Sequence, residues 1–113
     1  MANRPIPVSE ANRMIELYLD YMRNLGVDMN KQTVSVSFTS PDLLQWMNSV
    51  QAYTDEFRIC EGLYPPEHSY AGRITTIVWP YKNGAPPTKP TEEAKSGGSG
   101  NPIPPFNEGR PNP

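Results

Sequence analysis

The chain has one cysteine, Cys60, and one histidine, His68, in 113 residues. A single cysteine excludes a disulfide framework within the chain. One His and one Cys in different segments are too few soft ligands for a metal centre, so no metal and no cofactor are expected. No apolar run approaches the ~20 residues that span a bilayer. The opening Met-Ala-Asn-Arg-Pro-Ile-Pro-Val lacks the apolar core of a secretory signal. These absences point to a cytoplasmic protein with no membrane partner. Basic clusters are missing too: ten Lys and Arg are scattered with no two adjacent, against twelve Asp and Glu, for a net charge of −2. Nucleic-acid binders carry a clustered basic footprint, so nucleic acid is not an expected partner.

The chain is rich in proline, and unevenly so. Residues 83–113 hold eight of the fourteen prolines and five of the eight glycines, and their only sizeable apolar side chains are Ile103 and Phe106. Such a segment buries too little apolar surface to offset the entropy of ordering it alone. Three regions are therefore expected: an extended arm over 1–8, a globular domain over 9–82, and a Pro/Gly-rich, low-complexity tail over 83–113. Within the tail, the run Gly97-Gly98-Ser99-Gly100 reads as a flexible spacer. Ile103 and Phe106, flanked by prolines, read as an apolar hook that docks on some surface.

The remaining eighty or so residues suit one small domain with a thin core. Ala11, Met14, Ile15, Tyr18, Met22 and Leu25 recur at three- and four-residue spacing, which predicts a helix capped by Ser9 and stopped at Gly26. Leu17, Leu19 and Tyr21 widen the stripe, so the helix is expected to be covered on more than one side. Thr33, Ser35 and Ser37 alternate with Val34, Val36 and Phe38, a half-buried strand. Ser40-Pro41-Asp42 opens a second helix with Leu43, Leu44, Met47 and Val50 inward and Trp46 at its edge. Two strands follow, 56–63 and 73–81, joined by the Pro-rich loop 64–72; the second is almost wholly β-branched and aromatic. The expected fold is α+β: a small antiparallel sheet of about three strands with both helices on one face.

Chemistry is harder to find. His68 has Glu67 beside it, but neighbours in an extended loop point apart, and a general base needs an orienting partner and a nucleophile. Cys60 lies in a strand with no activating base in view. The glycine run has no strand before it or helix after it, so it is no phosphate loop. No enzyme is indicated. The loop 64–72 carries Tyr64, His68 and Tyr70 on a proline-stiffened backbone, which makes rigid contact anchors. Trp79 extends that surface, and Pro87-Thr88-Lys89-Pro90 and Pro102–Phe106 suit polyproline II docking.

The segments 33–39, Leu43-Leu44, Phe57-Arg58-Ile59, Leu63-Tyr64-Pro65 and 72–80 together resemble a group of short uncharacterised bacterial proteins. The resemblance implies a leading helix, a strand, a second helix, a two-strand hairpin and a Pro-rich end, and implies no activity. The function expected from the residues is a non-catalytic protein-binding or assembly protein. Its binding residues would be Tyr64, His68, Tyr70, Trp79, Ile103 and Phe106, and its partner another protein or itself. Two alternatives stand beside it: a small enzyme or ligand-binding subunit whose site forms between chains around His68, and an immunity or inhibitor protein.

Overall fold

The structure, a computed structural model, describes residues 3–89 and 101–113. The chain runs through α1 (Val8–Asn24), β1 (Ser35–Ser37), α2 (Ser40–Val50), a 3-10 turn at Gln51–Tyr53, then β2 (Glu56–Leu63), β3 (Ile74–Tyr81), β4 (Thr88–Lys89), β5 (Asn101–Pro102) and β6 (Arg110–Asn112). The class is α+β. The glycine spacer of the tail lies outside the described residues.

The caps sit ahead of the expected ones, by two residues at α1 and by one at α2. Pro7 precedes α1 and Thr39 precedes α2, neither with a side-chain cap bond. Ser9 and Ser40 thus lie inside their first turns. The end of α1 follows the sequence signal closely. Gly26 takes φ +88°, its N–H bonds the Arg23 carbonyl, and the Val27 N–H bonds the Met22 carbonyl. That is a Schellman stop, which needs the left-handed conformation glycine adopts without penalty.

β2 and β3 form the expected hairpin, in register from Glu56↔Tyr81 to Leu63↔Ile74. One face carries Phe57, Ile59, Glu61 and Leu63 opposite Pro80, Val78, Thr76 and Ile74. Trp46 of α2 covers part of that face, with its ring 5.7 Å from that of Phe57. Pro80 sits within β3 and is fully buried. It is tolerated because its missing N–H points away from β2, so no hairpin bond is lost.

A single three-stranded sheet does not form. The described strands make three separate antiparallel pairs, β2 with β3, β1 with β6, and β4 with β5. The strand expected over 32–39 shortens to Ser35–Ser37 and pairs with the C-terminal Arg110–Asn112 rather than with the hairpin. The Val34 N–H extends this pair by bonding the Asn112 carbonyl at 2.6 Å. The boundary drawn at residue 83 is likewise no break in the fold. Asn83 and Gly84 take φ +53° and +79°, and Lys82 and Ala85 exchange both backbone bonds across them. This is the Asn-Gly two-residue turn of a tight hairpin, and it folds the start of the tail back beside the end of β3.

The end of the tail then packs along the domain. Phe106 exchanges two 2.9 Å backbone bonds with Val78, on the side of β3 away from β2. The ladder stops at that one bridge for two reasons. On one side the next pair would set Pro80 against Pro104, and neither has an N–H to give. On the other side Glu108 turns to φ +65°. Gly109 passes so near β1 that an added Cβ would clash with Val36 Cγ1 and lie 2.7 Å from the Phe38 ring. Gly109→Ala should therefore lower the unfolding free energy by about 1–3 kcal/mol through overpacking. The effect is read as a fall in urea midpoint, and an unchanged midpoint would show that β1 yields to the methyl without cost.

Candidate functional site

The six residues singled out from the sequence fall into three groups. Tyr64, His68 and Tyr70 come together in the 64–72 loop. The Tyr64 and His68 rings stack at 4.2 Å between centroids, and Tyr70 lies 5.6 Å from Tyr64. Much of this cluster is turned inward. Tyr64 is only 3% exposed, and its hydroxyl donates to the Gly109 carbonyl at 3.2 Å. His68 accepts the Tyr70 N–H on Nδ1 at 3.0 Å. That bond leaves the proton of a neutral ring on Nε2, which faces the Glu108 carboxylate at 3.4 Å. The loop thus clasps the returning tail, and Tyr70 is the member that stays exposed.

Ile103 and Phe106 form the second group, and the hook is docked on its own domain. Ile103 is 7% exposed. The Phe106 ring stacks on Trp46 at 5.1 Å and tilts against Phe38 at the same distance. Next to it the Thr75 hydroxyl meets Asn107 Oδ1 at 3.1 Å. Trp79 stands apart, half-buried on the opposite face of β3. On that face Arg58 lies 4.0 Å over the Tyr81 ring. Its bond to Glu56, 2.8 Å long, holds the guanidinium above its ordinary value.

A cleft runs between α2 and the tail. One part, about 630 Å3, is walled mostly by apolar groups, among them Trp46, Val50, Tyr53, Ile103 and Phe106. A neighbouring part, about 660 Å3, shares Trp46 and Phe106 and adds Asp42, Gln45 and Arg110. Trp46 is the side chain that sequence reading placed only at an edge; its size and its place in the inward stretch of α2 were the available signal. Among the described residues no group of three or more His, Cys, Asp or Glu could hold a metal ion, and no helix is long and apolar enough to cross a membrane.

The surface of α1 differs from the expectation that it would be covered on more than one side. Leu19 is its one buried residue, with Ala11 and Met22 half-buried. Met14, Ile15, Leu17, Tyr18, Tyr21 and Leu25 are all exposed, Met14 at 57% and Tyr21 at 63%. A groove of about 350 Å3 is lined by Tyr18 of α1, Val34, Glu61 of β2, and Ile74 and Thr76 of β3. Thr33, also in that groove, is buried with no hydrogen-bond partner for its hydroxyl among the described residues. On β2, Ile59 and Leu63 flank Glu61 on the same face and are 69% and 65% exposed.

A scan of protein-family models, a search of curated proteins and a search of solved structures found no match to the chain. The site is therefore read from its own geometry.

The docked hook makes a direct test of the tail. Ile103→Ser combined with Phe106→Ser should cost several kcal/mol, and the melting temperature of a domain this size should fall by about 10 °C or more. A melting temperature that does not move would mean the tail contributes nothing to the fold.

Proposed function

We propose that this is a non-catalytic assembly protein whose docking surface is the open apolar face of α1 and the adjoining strip of β2. The observation that carries the reading is the exposure along α1. Met14, Tyr18, Tyr21 and Leu25 recur at four, three and four residues, the spacing of a seam that packs against another element. A monomer rarely leaves a contiguous apolar face of this size in water without a use for it.

The aromatic loop has a smaller share in this reading than the sequence suggested. Tyr64, Ile103 and Phe106 are engaged with the chain's own tail and core, which leaves Tyr70 and Trp79 as accessory contacts. A catalytic or ligand site around His68 has less support, because both ring nitrogens are engaged within the chain and Glu67 is exposed and meets no partner among the described residues. An inhibitor or immunity protein would use a surface of the same kind against a different partner.

The test is a pull-down from the native cell with wild type and with Met14→Glu combined with Tyr21→Glu. These positions are largely exposed, so stability should change by no more than about 1 kcal/mol. Retained protein should fall at least tenfold. Equal retention by wild type and variant would overturn the reading.

A further inference from the structure

Resting on that reading, we propose that the partner is a second copy of this chain, joined through the outer edge of β2, with Cys60 on the two-fold axis.

The parity of the hairpin fixes which groups are open. Val78 exchanges both backbone bonds with Phe106, and Pro80 has no N–H. Both therefore direct their backbone away from β2. Their opposite numbers Ile59 and Phe57 are in non-hydrogen-bonded pairs with β3, and Glu61 and Leu63 share that parity. The N–H and C=O groups of Phe57, Ile59, Glu61 and Leu63 all point to the outer side. Among the described residues no strand or loop pairs with them. An open edge on a strand of eight residues, with Ile59 and Leu63 exposed, is a ready template for strand addition.

A second copy fits this edge by symmetry. Set antiparallel about Cys60, Phe57 meets the partner's Leu63 and Ile59 meets the partner's Glu61, and the reverse pairs follow from the two-fold axis. Every outward backbone group then gains a partner, and two hairpins merge into one four-stranded sheet. Sliding the register by two residues in either direction loses a pair. One of those slides also sets the two Glu61 carboxylates face to face, which is destabilising.

The area agrees as well. The groove between Tyr18 and Glu61 joins the α1 face to the β2 strip. Met14, Ile15, Tyr18, Tyr21 and Leu25 with Ile59 and Leu63, all exposed, present roughly 700 Å2, taking ~150–250 Å2 for a whole aromatic and somewhat less for an aliphatic. A standard interface takes ~800 Å2 from each partner.

Cys60 supplies the reporter. In this register it faces its own copy in a non-hydrogen-bonded pair, with Cα atoms ~4.5 Å apart, inside the ~4.4–6.8 Å range of disulfides. Diamide should oxidise the two thiols to one intermolecular disulfide, taking up their two hydrogens as it is reduced to the hydrazine, and dithiothreitol should reverse the link. The experiment is light scattering from low to several hundred micromolar protein, together with diamide cross-linking. Wild type should reach twice the monomer mass and cross-link in most of its chains. Cys60→Ser should keep the doubled mass and lose the cross-link. Glu61→Pro removes only an outward N–H, so it should leave a folded monomer by circular dichroism. Ile59→Lys, which puts a charge on the edge, gives the decisive result should Glu61→Pro fail to fold.

A wild type that stays monomeric at every concentration overturns the proposal. So does a dimer that both β2 variants leave intact, or one that diamide does not link. The reading of α1 falls separately. A monomer whose cellular partner is lost with Met14→Glu and Tyr21→Glu keeps that reading, as does a dimer dissolved only by those two changes.

Discussion

Phe106 is the contact on which the other elements converge. Its backbone pairs with Val78 of β3, and its ring lies between Phe38, just after β1, and Trp46 of α2. Three elements that touch one another little thus share one side chain from a segment far along the chain. Its neighbours consolidate the contact: Asn107 meets Thr75, Glu108 faces His68, and the Gly109 carbonyl accepts from Tyr64. Only then does the backbone reach β1 and pair as β6. Without Phe106 seated, β1 would have no strand beside it and the apolar side of α2 would face water.

The same contact explains what could be read from the sequence and what could not. The hairpin strands, the stop of α1 at Gly26 and the proline in the first turn of α2 rest on local chemistry, and each lies within a residue or so of its expected place. The tail did not yield to the same reasoning. Its composition was weighed as a segment standing alone, for which the entropy argument holds. The apolar surface it covers, however, belongs to Trp46, Phe38 and Val78. A segment poor in apolar side chains can still be ordered when the domain supplies the other half of the contact. Arg110-Pro111-Asn112 has no alternation to mark it as a strand, and only its long-range partner makes it one. Asn83-Gly84 was legible, since Asn-Gly after a strong strand is a hairpin signal; it was hidden by the prolines that follow.

The candidate site was legible in part. Ile103 and Phe106 stood out as docking residues because they are isolated apolar groups, but nothing local says whose surface they meet. Tyr64 and His68 stood out as aromatics on a stiff loop, and stacking is how they are used, toward the tail rather than outward. The apolar stripe of α1 was plain in the sequence. Its exposure was not, because periodicity gives the width of an apolar face and says nothing of how much neighbouring surface is available to cover it.

That shortage of cover follows from where the tail goes. A two-stranded sheet has two edges and two faces. The tail spends its few apolar groups on one edge, at Val78, and on the side of α2 and β1 that faces it. Tyr18 of α1 and Glu61 of β2 line another groove, and no described segment is left over to cover the edge at β2 or the outer face of α1. Lengthening the core would solve this in a larger domain, but a chain of 113 residues supplies too little interior. The economical remedy for a small protein is to let another chain cover the remainder. The open edge and the open helix face then have a single physical origin, in a tail that closes one side of the fold and leaves the other open.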